Sequence, residues 1–133
     1  MVNNKKLPLF ISLTLIVVLL DQLTKYLVIK SLPILNLKIL TIHLVKNTGA
    51  GFGILPGKTV ILSIISLLVA LIIIYYYPKI PKENLPQIFT ALFLAGTVGN
   101  FIDRVFRKFV IDFIDFSFWP AFNIADAAIT IGA

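Results

Sequence analysis

The sequence predicts an all-α integral membrane protein, a single bundle of three or four spans with a small β element outside the lipid. Three observations support this. Hydrophobic residues fill 59% of the 133 positions and charged ones 14%, with a mean hydropathy of +0.99, whereas soluble domains are roughly half apolar and about a quarter charged. Apolar runs recur at lengths near the roughly 20 residues that a helix needs to cross the hydrocarbon. Between the first two runs lies a segment with strand-like alternation and clustered glycines. A bundle of that size uses the whole chain and leaves no second domain.

The first run is Leu7 to Ile29. MVNNKK followed by LPLFISLTLIVVLL imitates the basic and apolar parts of a secretory signal. DQLTKY then replaces the small-x-small cleavage pattern, so the segment is read as a retained span, about 7–29. Its last third carries Asp21, Gln22, Thr24 and Lys25. On a helix Asp21 and Lys25 share a face and can pair. Two readings fit: a functional pair facing the protein interior, or an interfacial salt bridge with Lys25 snorkelling.

From about 34 to 57 the pattern changes. Leu37 to Lys46 is rich in β-branched residues and loosely alternating, as in a strand. Asn47-Thr48-Gly49-Ala50-Gly51-Phe52-Gly53 follows, and its glycines suit a turn with positive φ or a close approach. Either a plain hairpin or a small sheet over the bundle would account for it. His43, the single histidine, reads as a surface residue.

Val60 to Tyr77 is a second span whose polar members are Ser63 and Ser66. Tyr75, Tyr76 and Tyr77 at its end suit the headgroup level, and the helix is given a scaffold role. PKIPKEN separates it from the third span, Leu85 to Ile102. There Ala91, Ala95 and Gly99, with Gly96 beside them, form a small-residue stripe that permits close helix approach, so this span is expected at the centre. Asn100, Asp103 and Arg104 at its end can point to one side. Asp103 and Arg104 fit either an interfacial anchor or a catalytic role. A loop from about 104 to 121 then returns the chain to the bundle. A last helix from about 122 starts like a span but is apparently incomplete.

The net charge of +6 suits flanks on anionic lipid headgroups better than nucleic acid in a chain this apolar. Cysteine is absent, which removes thiol nucleophiles, disulfides and thiolate metal sites. With one histidine and no HExxH, the usual zinc protease design is also missing, and the site is expected to hold no metal or cofactor. No serine sits in a polar motif. The aspartates remain.

Val110 to Asp126, VIDFIDFSFWPAFNIAD, places three of the chain's six acids in an aromatic, apolar run. A carboxylate there loses hydration unless a partner or proton compensates. Asp112 and Asp126 can be brought together by the loop around Pro120. Two such carboxylates share one proton. The ionised member can take a proton from water while the protonated one hydrogen-bonds a scissile carbonyl. Asp115 would lie near Asp112 on a helix but on the opposite face of a strand, and it is set aside as a bystander. For Asp126 there is also a structural reading, an acid in the first turn of a helix capped by Asn123.

Five ordered motifs, DQLTK (21–25), NTGAGF (47–52), GNFIDR (99–104), VIDF (110–113) and FNIAD (122–126), resemble those of lipoprotein signal peptidase, also called signal peptidase II. The resemblance implies a four-transmembrane-helix bundle with a small extramembrane β-cradle between helices 1 and 2. It implies an aspartic endopeptidase of the bacterial cytoplasmic (inner) membrane, multi-pass, with both termini in the cytoplasm and the active site near the periplasmic face. Such enzymes remove signal peptides from diacylglyceryl-modified prolipoproteins, cutting before the lipidated Cys, and globomycin inhibits them. By position Asp112 and Asp126 match the catalytic pair. Asp21, Lys25, Asn47, Gly49, Asn100, Arg104, Asn123 and Ala125 match residues that line or support the site, and Asp103 is placed in support. The partners implied are the prolipoprotein substrate, membrane lipids and a globomycin-type inhibitor, with no nucleic acid and a monomeric state.

Two departures stand out: Ala95 where the family often has a second glycine, and a short connection between Asp112 and Asp126. A count of lysines and arginines alone favours the reverse orientation. The competing function is a small carrier or proton-conducting subunit that uses intramembrane carboxylates. It would need acids stacked through the membrane depth, whereas Asp21, Asp103, Asp112 and Asp126 fall toward one interface.

Overall fold

In the computed structural model, which describes residues 5–30 and 35–133, four helices and a three-stranded sheet succeed one another along the chain. Helix α1 spans Leu7–Lys30, strands β1 and β2 span Leu35–Leu37 and Leu40–Asn47, and α2 spans Thr59–Tyr76. Helix α3 spans Asn84–Phe106, β3 spans Val110–Phe116 and α4 spans Ile124–Gly132. Among the described residues α1, α2 and α3 are long and apolar enough to cross a membrane. The fourth helix covers nine residues, short of a crossing.

These helices are arranged for lipid. The exposed side chains of α1 include Leu15, Leu19, Leu20 and Leu23, while Asp21 and Lys25 have no accessible surface. In hydrocarbon an ionisable group is costly and an exposed leucine is not, so the polar face turns inward. Helix α2 buries only Leu62 and Ala70. As expected from its small-residue stripe, α3 is central, burying nine residues from Gln87 to Asp103 and packing against α1, α2 and α4. The stripe divides its work. Gly96 lies against the Ala125 carbonyl and Ile129 of α4, and Gly99 lies against the Asp21 carboxylate of α1. At the other end, Tyr77 donates to Gln87 Oε1 at 2.9 Å and Gln87 donates to the Pro81 carbonyl at 2.8 Å, closing the α2–α3 connection.

The β element differs from its expected place. The sheet is antiparallel with order β1-β2-β3, so it is not confined to the segment between the first two helices. Its third strand comes from the stretch expected to be a loop. The start of the expected cradle, Ile34, lies outside the described residues. Helix α3 also continues to Phe106, so Asp103 and Arg104 are helical rather than the start of that loop. A physical reason accounts for the strand: β3 faces two environments. Val110, Ile111, Asp112 and Phe113 are all buried, and the following three residues are partly so, which blurs the period-2 signal of a half-exposed strand. Pairing of Lys46 with Ile111 and Asn47 with Val110 fixes where Asp112 falls, and an irregularity between Ile42 and Val45 shifts the register farther along.

Candidate active site

Asp112 lies on β3 and Asp126 in the first turn of α4, and both line one cavity of about 580 Å³. The two elements are joined by a short turn closed by reciprocal hydrogen bonds between Ile114 and Phe122 (2.9 and 3.0 Å). That turn lets a short connection bring strand and helix together.

Each carboxylate is held by amides. Asp112 Oδ1 accepts from Asn123 Nδ2 at 2.9 Å and Oδ2 from Asn47 Nδ2 at 3.0 Å. Asp126 Oδ1 accepts from Asn100 Nδ2 at 2.8 Å and Oδ2 from the Asn123 backbone N–H at 3.2 Å. Asn123 Oδ1 in turn accepts from the Asp126 N–H at 2.8 Å, a capping box. The structural reading of Asp126 therefore holds, and the capping carboxylate also lines the cavity. Burial, and then the charge of Asp126, push Asp112 up to about 7.

Asn47 stands at the end of β2 with its orientation fixed by the Gly49 N–H, which donates to Asn47 Oδ1 at 2.8 Å. A side chain at Gly49 would overlap the Ile54 carbonyl oxygen, so the close approach read from the glycines is real. Gly49 supplies its carbonyl to Arg104 Nη2 at 3.5 Å.

Asn100, Asp103 and Arg104 do not share a side. Asn100 faces Asp126, Arg104 faces the cavity and donates to Ser66 Oγ at 3.1 Å, and Asp103 faces α1. The Arg104 Nε is buried without a hydrogen-bond partner among the described residues.

Beneath the cavity is an ion network. Lys25 Nζ contacts Asp21 Oδ2 at 2.8 Å and Asp103 Oδ2 at 3.0 Å, all three side chains having 0% exposure. Arg107 Nη1 lies 2.6 Å from Asp103 Oδ1. Lys25 therefore does not snorkel. Ala125, fully buried, donates its N–H to Asp21 Oδ1 at 2.9 Å.

Three participants escaped the sequence reading. Ser66, on a helix given only a scaffold role, lines the cavity and accepts from Arg104. Phe52 takes φ 60° between two glycines, a left-handed conformation unusual for a bulky residue, and packs edge-on against Trp119 at 5.3 Å. Both rings line the cavity. The Gly-Phe-Gly triplet was the signal for Phe52; Ser66 left none. Asp115, set aside as a bystander, pairs with His43 at 2.7 Å on the sheet. Its different orientation from Asp112 follows from the odd spacing on a strand.

A family model described as signal peptidase (SPase) II matches residues 13–133. The chain is 46% identical over 123 residues to the lipoprotein signal peptidase of Caldanaerobacter subterraneus subsp. tengcongensis, covering 88% of this chain and 85% of that protein. It is 39% identical over 125 residues to that of Halothermothrix orenii, covering 90% and 86%. One solved structure, described as a bacterial membrane enzyme, superposes with a TM-score of 0.87 at 35% identity, covering 95% of this chain and 83% of the other. A second with the same description gives 0.84 at 35% identity over 99% and 92%. On this evidence the chain is a multi-pass membrane peptidase that belongs to the signal peptidase II family.

Proposed function

We propose that the chain is an aspartic endopeptidase that cleaves diacylglyceryl-modified bacterial prolipoproteins just before the lipidated Cys. The observation that carries this is the convergence of Asp112 and Asp126 on one cavity whose remaining walls are largely apolar. Ile65 and Val69 of α2, Phe93 of α3 and Ile129 of α4 line it beside the carboxylates. Such a cavity takes a lipid or apolar peptide segment at one side and a peptide bond at the other.

In the proposed reaction the dyad holds one proton, placed on Asp112. Asp126 takes a proton from water as the oxygen attacks the scissile carbonyl, and Asp112 hydrogen-bonds the carbonyl oxygen as charge develops there. Asp126 then returns the proton to the departing nitrogen. Asn47, Asn100 and Asn123 orient the carboxylates, and Arg104 lines the substrate cavity. The site stands near the periplasmic face of the inner membrane, with Lys5, Lys6, Lys79 and Lys82 at the cytoplasmic end. The buried acids gather in one network at one level, which offers no ladder of carboxylates for a proton-conducting subunit.

Purified protein is expected to convert a diacylglyceryl-modified precursor into a product whose N-terminus is the lipidated Cys, read by mass spectrometry. A globomycin-type inhibitor should protect the precursor. Equal cleavage of the unmodified precursor would defeat the lipid requirement, and a different cut site the whole assignment.

The dyad proton also sets a pH dependence. Asp112 is raised from 3.8 to about 7, so the protonated form is lost as pH rises through that value. The turnover number is expected to fall on the alkaline side with a midpoint near pH 7. A profile with no decline between about pH 6 and about pH 9 would contradict the protonation scheme.

A further inference from the structure

Three buried ionisable side chains, Asp21, Lys25 and Asp103, take no part in the proposed chemistry. Their contacts have a common pattern. Asp103 Oδ2 accepts the backbone N–H of Ile111 at 3.0 Å, and Ile111 immediately precedes Asp112. Asp21 Oδ1 accepts the backbone N–H of Ala125 at 2.9 Å, and Ala125 immediately precedes Asp126. Lys25 Nζ joins the two carboxylates at 2.8 and 3.0 Å. A continuous path of charge-assisted contacts thus runs from the backbone of β3 to the backbone of α4.

The geometry points to the Asp21–Lys25–Asp103 triad as the device that sets the separation of the dyad carboxylates; its members are positioning residues. This rests on the dyad reading above. The third contact of Lys25 supports it. The ammonium has three hydrogens and no acceptor, and the third is directed to Asn100 Oδ1 at 3.1 Å. Together with a second donor on the same oxygen, Asn123 Nδ2 at 3.1 Å, that fixes the Asn100 amide with its NH₂ group toward Asp126 Oδ1 at 2.8 Å. Lys25 therefore bears on both the spacing of the two backbones and, with Asn123, the orientation of an amide on the reacting carboxylate.

A purely stabilising role explains less. Buried ion pairs and triads often give way to well-packed apolar side chains at no loss of stability. Stability alone also does not account for both accepted N–H groups directly preceding Asp112 and Asp126. Reacting groups, by contrast, lose much of their rate when displaced by about an ångström.

The test compares kcat and KM of the full chain in bilayer nanodiscs on a diacylglyceryl-modified precursor. Lys25→Met is expected to lose about 100-fold in kcat with KM held within about threefold, the pattern of a contact expressed in the transition state. Lys25→Arg, whose guanidinium can bridge two carboxylates, is expected to recover at least about tenfold of that loss. Gly99→Ala disturbs the same path with every charge kept. Its Cβ would stand 2.5 Å from Asp21 Oδ2 and 3.2 Å from Ala125 Cβ, and kcat should fall about tenfold with KM held. Gly99→Ala decides the matter if Lys25→Met fails to fold. Wild-type kcat in a folded Lys25→Met or in Gly99→Ala, or a raised KM at unchanged kcat, overturns the positioning role while the dyad reading stands. A wild-type chain that leaves the precursor whole overturns both.

Discussion

Asp126→Asn is expected to lower kcat for the lipidated precursor by about 10⁴-fold or more, since an amide cannot take the proton of the attacking water. Asp112→Asn should be comparably inactive because it removes the shared proton. Neither loss should come from unfolding. The neighbours of both carboxylates are all donors: Asn123 and Asn47 amides on Asp112, the Asn100 amide and the Asn123 N–H on Asp126. An asparagine at either position must turn its own NH₂ toward one of them, which forfeits one hydrogen bond at about 1 kcal/mol. Cleavage rates by mass spectrometry and thermal unfolding of the same preparations separate the two effects. Cleavage within tenfold of wild type in either variant would sink the dyad assignment.

Asp103→Ala is expected to destabilise the protein by about 3–5 kcal/mol, the range for removing one partner of a buried ion pair. Asp103 has no exposed surface and accepts from Lys25, Arg107, Gln22 and the Ile111 N–H. Deleting it leaves the Ile111 N–H without its acceptor, Lys25 with Asp21 as its remaining ion-pair partner, and Arg107 without its ion pair. Asp115→Ala provides the contrast. Its pair with His43 is about a third exposed on both sides, and such surface pairs contribute about 0–1 kcal/mol. Unfolding in detergent should rank the two variants widely apart. Equal midpoints would mean that the internal network carries little of the fold's stability.

Much of this arrangement was legible in the residues. The i, i+4 spacing of Asp21 and Lys25 announced a shared face, and the small residues of α3 announced its central place, because both are local properties of one helix. The cost of acids in an aromatic run singles out Asp112 and Asp126 as candidates, and both line one cavity. What could not be read was non-local. The third strand hides in a run buried at four successive residues, so the alternation that reveals a half-exposed strand is missing. Helix register carried Asp103 and Arg104 to different neighbours, because consecutive residues are turned about 100° apart. Ser66 gained its place only because Arg104 of another helix reaches it. Capping by Asp126 does not remove its carboxylate from the cavity lining, so its structural role leaves the proposed one open.

The pairing of β3 with β2 also fixes an order of events. Asn47 meets Val110 and Asp112 across the length of two helices, and Asp21 meets Ala125 across 104 residues. During synthesis α1, β2, α2 and α3 precede both dyad residues, so a nascent chain that has inserted its first three helices owns the supports of a hydrolase but not the hydrolase. Contacts of such long range form late because loop closure must come first. On the proposed dyad, peptide-bond cleavage waits on completion of the tertiary structure, and a half-made copy would be chemically inert toward the membrane around it.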